Sequence, residues 1–221
     1  MAILKKQSLV DQIYDEIKKQ IIELIIPLGS KLNVSGLQDK FGVSSTPIRE
    51  AINRLQKDGI VEYENNIGAK VIDITDKDVC EIQEVSFALL TGAVRYAMQK
   101  GNNIEISKEI QIYIDKLINS NDKEQFATYI LDISNVFYKH ANNSRLIGSA
   151  NLMYAQQAIL RTIFAKESIN EEEFKREYIK DFLDLYQAVK ENNEIEAMKA
   201  FERNNFRARK VIIRGIKKLK K

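Results

Sequence analysis

The stretch FGVSSTPIREAINRLQKDGIVEY, residues 41–63, packs a Gly, three hydroxyl residues, a Pro and an Arg into nine positions. It then settles into a regular apolar rhythm. Ile48, Ala51, Ile52 and Leu55 recur every three or four residues, the spacing of one buried helix face. Ser44, Ser45 and Thr46 are helix-starting residue types, and Pro47 is tolerated in a first turn, where its missing N–H has no partner to lose. Asp58-Gly59 stops the helix. The opposite face then carries Ser45, Thr46, Arg49, Asn53 and Gln56, side chains able to bond phosphates or base edges. Taken alone, the same segment reads as a plain helix start with a solvated Arg49. Its surroundings decide between the two readings.

Downstream, "GIVEY" reads as a strand, "ENNIG" as a turn and "AKVID" as a second strand. Upstream, Leu9, Ile13, Ile17 and Ile21, continued by Leu24 and Ile25, predict a first helix. Ser8 and Asp11 cap it, and Pro27 and Gly29 end it. Asn33 or Ser35 opens a short second helix with Leu37 and Phe41, closed by Gly42. Gly36 inside it costs about 1 kcal/mol relative to Ala. Three helices and a hairpin outline a winged helix-turn-helix in residues 1–75. From Thr75, which pairs with Asp78 as a cap, the rhythm is helical throughout, and no Pro follows residue 47. The apolar rows predict six helices. One of them runs through Leu146, Ala150, Met153, Gln157, Leu160 and Phe164, and polar breaks include residues 167–170. The fold class is therefore mainly α: an N-terminal winged helix-turn-helix and, over residues 76–221, an all-helical bundle.

The net charge of the 221 residues is +3, but its distribution is uneven. Residues 1–74 balance, whereas residues 203–221 hold nine basic side chains and no acid. That tail reads as a solvated helix end. Lys5, Lys6 and Lys70 are candidate phosphate contacts, although a plain surface role is the default for each. A single cysteine, Cys80, excludes a disulfide framework and a Cys-based zinc site, and its default is a small packed residue. His140, the only histidine, reads as a surface or helix-capping residue. There is no Gly-rich phosphate loop and no nucleophile motif, so the chain is not expected to be an enzyme. No cofactor is expected. Neither a signal peptide nor an apolar run long enough to span a bilayer is legible, which predicts a cytoplasmic protein with no membrane partner.

"GVSSTPIREAINRLQKDGIVE" followed by "NNIGAKV" resembles the winged-helix segment of GntR-type bacterial transcription regulators. The helical remainder resembles the FCD-type ligand-sensing domain of their FadR-like subfamily in length and helix count. The resemblance implies a homodimer on a palindromic double-stranded DNA operator, with affinity modulated by a small organic effector. The alternative is a helical domain that only dimerises. Candidate DNA contacts are Ser44, Ser45, Thr46, Arg49 and Asn53, with Asn66, Gly68 and Lys70 on the wing. Such regulators often carry Arg where Ser45 stands and a basic wing residue where Ile67 stands, so Arg49 is the one guanidinium kept. The family often holds a metal through one Asp and three His. Those positions fall here on Ile130, Ser134, Phe182 and Asn204, and a chain with one histidine cannot supply the set. Where Arg and Glu are frequent on the first sensing helix, this chain has Ser86 and Leu90. The expectation is a metal-free pocket lined by Ser86, Ile130, Ser134, Arg161, Phe182 and Asn204. The stated alternative is that Ile130 and Phe182 simply fill the space.

Overall fold

A computed structural model describes residues 7–167 and 172–220. Two compact units result, one of Met1–Ile74 with Met153–Ile159, the other of Thr75–Leu152 with Leu160–Lys221.

In the first unit, α1 (Leu9–Ile22), α2 (Val34–Phe41) and α3 (Ser45–Lys57) precede a hairpin of β1 (Val61–Glu64) and β2 (Gly68–Val71). Ser8 and Asp11 form a reciprocal capping box at α1. Asp11 also takes Arg54 Nη1 at 2.5 Å, tying α1 to α3. Hydrogen bonds from Ser8 and then Arg54 hold the Asp11 carboxyl below the usual carboxylate range. At the other end of α3, Asp58 accepts from Tyr14 Oη at 2.5 Å and from Lys18 Nζ at 2.6 Å. Ile13, Ile17 and Ile21 meet Ile48, Ala51, Ile52 and Leu55 in the core, all at most 2% exposed.

The end of α1 differs from the expectation. The helix stops at Ile22, because Leu24 takes a left-handed backbone (φ 62°) and the N–H groups of Ile25 and Ile26 fold back to the Gln20 carbonyl. Leu24 and Ile25 therefore lie beyond the helix. The early stop lets residues 30–32 run along β2, where Leu32 N donates to Ala69 O and Val71 N to Ser30 O, both at 2.9 Å. This third hydrogen-bonded edge has no apolar alternation to announce it. In the hairpin, Val61 faces Val71 and Glu64 faces Gly68. Asn66 (φ 66°) and Gly68 (φ 93°) supply the left-handed positions the turn needs. Gln156 Nε2 donates to Gly59 O at 3.0 Å, also within this unit.

The rest of the chain is helical: α4 (Asp76–Lys100), α5 (Asn103–Asn119), α6 (Lys123–Ala141), α7 (Ser144–Leu152), α8 (Tyr154–Glu167), α9 (Glu172–Lys190) and α10 (Glu194–Leu219), all in the second unit except the start of α8 up to Ile159. The row Leu146 to Phe164 was expected to be one helix and is two. Helix α7 fully buries no side chain, whereas α8 buries Ile159, Leu160, Ile163 and Phe164. A row that is continuous in sequence is thus divided at Met153, with Gln157 N→Met153 O at 2.9 Å opening the second helix. The break expected at residues 167–170 falls mostly outside the described residues. Asn102, Asp122 and Asn193 cap α5, α6 and α10, and Thr75 with Asp78 makes a second capping box at α4. The core is markedly aromatic. Phe137 stacks edge-on to Phe201 (5.4 Å), Phe201 to Phe182 (6.2 Å), and Phe182 lies 6.3 Å from Tyr178, which also contacts Phe126, Phe164 and Phe174.

Candidate nucleic-acid interface

Helix α3 buries Ile48, Ala51, Ile52 and Leu55 and exposes Thr46, Arg49, Asn53 and Gln56. Ser45 is half-buried, one position after the N-cap Ser44. The caps at Ser8, Asn33, Thr75, Asn102, Asp122 and Asn193 each accept a backbone N–H from their own helix. Ser44 makes no such side-chain bond, and its hydroxyl is exposed. The Ser44 hydroxyl is therefore not spent on its own helix and stands exposed at the positive end of α3, an arrangement that suits an anion. Arg54, one turn beyond Glu50 on the flank of α3, is committed to Asp11. No ion pair holds Arg49 among the described residues, and its guanidinium is exposed. Two arginines on one helix thus have different work, one joining helices and one left available.

On the wing, Asn66 is exposed and Gly68 half-buried at the turn. Lys70 is partly neutralised: its Nζ lies 3.2 Å from Glu64 Oε2 across the hairpin. A hydrogen bond and the charge of Glu64 raise its pKa. As a phosphate contact Lys70 must first leave Glu64. Tyr63 (48% exposed) and Ile67 (37%) give the wing an apolar margin. Lys5 and Lys6 lie outside the described residues.

The candidate pocket residues of the helical unit fall into distinct environments. Phe182 is 1% exposed and belongs to the aromatic row, so it is core rather than an open wall. Ile130 and Ser134 are half-buried on α6, and the Ser134 hydroxyl bonds back to Ile130 O at 3.4 Å, the local habit of a mid-helix Ser. Ser86 and Arg161 are half-buried. Asn204 stands apart. It is 5% exposed, and neither its Oδ1 nor its Nδ2 has a hydrogen-bond partner in the protein; Asn205 Oδ1 is likewise unpaired. Tyr178 Oη donates to the Asn204 carbonyl at 2.8 Å, which fixes the backbone and leaves the side-chain amide unserved. A buried amide with no partner costs on the order of 1–3 kcal/mol.

Asp132 was not anticipated. Burial raises its pKa, opposed by the positive charges of Lys116 and Arg161. The sequence carries no sign of it, because Asp132 sits one position before Ile133 in an ordinary amphipathic row. Tyr138, half-buried on the same helix, is pushed up to about 12 by burial. No group of three or more His, Cys, Asp or Glu able to hold a metal occurs among the described residues.

Two further expectations are corrected. His140 is neither a loose surface residue nor a cap. Its side chain is 12% exposed and its Nε2 lies 3.1 Å from Glu109 Oε1, which Lys139 also binds at 2.8 Å. Burial pushes the Glu109 carboxyl up, but these hydrogen bonds outweigh it and hold the group low. The basic tail is not merely solvated either. Arg203 and Arg207 meet Asp181, Arg209 meets Glu84, Arg214 and Lys218 meet Glu167, and Lys217 meets Asp76. The acids that the tail meets all lie between residues 76 and 184. Cys80 is half-buried, in keeping with a small packed residue.

Comparison with known proteins gives a consistent picture. Residues 9–71 match the model of the bacterial regulatory proteins of the gntR family. An uncharacterised HTH-type transcriptional regulator of Bacillus subtilis, YdhC, is 33% identical over 43% of this chain and 43% of its own length. The gluconate operon transcriptional repressor of Bacillus licheniformis is 26% identical over 86% of this chain and 79% of its own. Among solved structures, Escherichia coli McbR/YncC matches with a TM-score of 0.67 at 20% identity, over 96% of this chain and 97% of its own. A GntR transcriptional regulator from a Rhodococcus species matches with a TM-score of 0.67 at 18% identity, over 92% and 97%. The sequence relatives are regulators by name, and no enzyme is among them. Among the described residues, no helix is long and apolar enough to cross a membrane.

Proposed function

We propose, from the membership of this chain in the GntR family of bacterial transcription regulators, that it is a cytoplasmic repressor. In this reading residues 1–75 bind a palindromic operator as one half of a homodimer, and residues 76–221 dimerise and sense a small organic effector. The observation that carries the DNA-binding reading is the exposed polar face of α3, with an uncommitted Arg49 and a Ser44 hydroxyl not spent on its own helix. Selection of bound duplexes from a random pool tests it. The expected result is an inverted repeat with half-sites about one helical turn apart. Enrichment of no sequence removes the operator reading.

The effector reading rests on Asn204. A buried amide without a partner is a standing cost, and a ligand with matching donor and acceptor atoms relieves it. Asn204→Leu removes the unpaired amide, so the variant is expected to melt higher than the wild type and to lose stabilisation by any compound that raises the wild-type melting temperature. A thermal-shift screen of neutral and anionic metabolites on both proteins checks this. One observation favours the second reading, a helical domain that only dimerises: Phe182 is 1% exposed and packed between Tyr178 and Phe201, leaving that position filled. A screen in which no metabolite stabilises the wild type selects that reading.

A further inference from the structure

Helix α4 is 25 residues long and only partly covered by its own chain. Val79, Ile82, Ala93, Val94, Ala97 and Met98 are buried. The opposite face is apolar as well: Val85 is 49% exposed and Tyr96 40%, with Ala88 exposed and Leu89 and Gly92 half-buried between them. From Val85 to Val94 the helix carries no charge, in a chain that is 29% charged. Helix α7 lies alongside, with the Leu146 Cδ1 methyl 3.9 Å from where a Cβ on Gly92 would sit. It adds Ile147 (36% exposed) and Leu152 (74%) to the same apolar margin. Its Gly148 has open space where a Cβ would go. A mid-helix Gly costs about 1 kcal/mol relative to Ala, and among the described residues nothing lies within 4 Å of the gap it leaves.

We infer that this face is the seam on which a second copy of the chain packs, α4 against α4 in antiparallel sense about a two-fold axis. The charges at its ends select that partner. Glu84 borders the uncharged stretch on one side and Arg95 on the other, on the same outward face. Their side chains are each 62% exposed, and their nearest partners within the chain are loose, Arg209 at 3.5 Å from Glu84 and Glu194 at 3.6 Å from Arg95. Eleven residues of helix separate them, about 16 Å. A two-fold axis through the middle of the stretch sets Glu84 beside the partner's Arg95, and Arg95 beside the partner's Glu84. An isologous interface must be complementary to itself, and a surface acidic at one end, basic at the other and apolar between meets that condition only when reversed upon itself. Ala88, Thr91 and Gly92 are small, which allows the two axes a close approach.

The inference rests on the dimeric reading above and names its surface. Glu84→Arg and Arg95→Glu should each place like charges at both ends of the seam and weaken the dimer about 10-fold or more, since like-charge juxtaposition across an interface is strongly unfavourable. The double variant, which restores opposite charges in exchanged positions, should recover most of the wild-type Kd. Leu89→Arg, at the apolar centre, should weaken it at least 100-fold. Sedimentation equilibrium of the full chain gives the Kd values, and circular dichroism establishes that each variant is folded. Recovery in the double variant supports the seam, because a merely structural role for either residue would not be rescued by the exchange. A dimeric wild type whose Kd ignores all the variants overturns this surface and leaves the dimeric reading standing. A monomeric wild type removes both.

Discussion

Arg49→Ala is expected to lower operator affinity by about 1–3 kcal/mol, roughly 5- to 150-fold, while leaving the fold unchanged. The fold should survive because Arg49 is exposed and tied by no ion pair among the described residues, in contrast to Arg54, which joins α3 to α1 through Asp11. The loss should be specific. A guanidinium that reads a guanine edge contributes to the operator and little to scrambled duplex, so the ratio of the two affinities should fall with the operator affinity itself. A phosphate contact would instead weaken both alike and reduce the slope of log affinity against log salt by about one. Titrations on operator and scrambled duplexes at several salt concentrations separate these outcomes. An unchanged affinity ratio removes Arg49 from base readout. Lys70→Ala is the internal comparison, because Lys70 is already engaged by Glu64 and should contribute less.

The second large effect concerns the fold of the helical unit. Asp181 is 2% exposed, accepts Arg203 Nε at 2.6 Å and lies 3.5 Å from Arg207 Nε. Replacing both arginines by Met leaves a buried carboxylate with no cation beside it. Breaking a buried pair from one side costs 3–5 kcal/mol in general. Here the lower end, about 3 kcal/mol, is expected, because both arginine stems reach solvent and Arg203 is shared with the exposed Asp184. For a chain of this size that corresponds to a fall in Tm of roughly 6–12 °C. Adding Asp181→Leu to the double variant removes the stranded charge and should recover at least half of the loss, since an apolar replacement of a whole buried network is often close to neutral. Thermal unfolding of the three proteins measures this. A double-Met variant that melts within 2 °C of the wild type would show that Asp181 is hydrated and that the tail does not anchor on it.

Local order and composition were enough to determine much of this protein. Helix α3, its polar face, the hairpin and the capping pairs at Ser8 and Thr75 are short-range features, written in spacings of two to four residues, and a winged helix-turn-helix followed by a helical bundle follows from them. The lack of any three-histidine ligand set is likewise a matter of composition. What tertiary structure decided is long-range. The left-handed turn at Leu24 ends α1 early because residues 30–32 must return to β2, a pairing that no periodicity encodes. The split between α7 and α8 reflects a change in what covers each segment rather than any breaker residue. Arg203, Arg207, Arg209, Arg214, Lys217 and Lys218 looked solvated because their acidic partners, from Asp76 to Asp184, are far away in sequence. Phe182 and Asn204 were paired as pocket residues by their position along the chain. Only packing shows that one completes an aromatic core and the other buries an amide without a partner, because burial is a property of neighbours brought together by the fold and not of the residue itself.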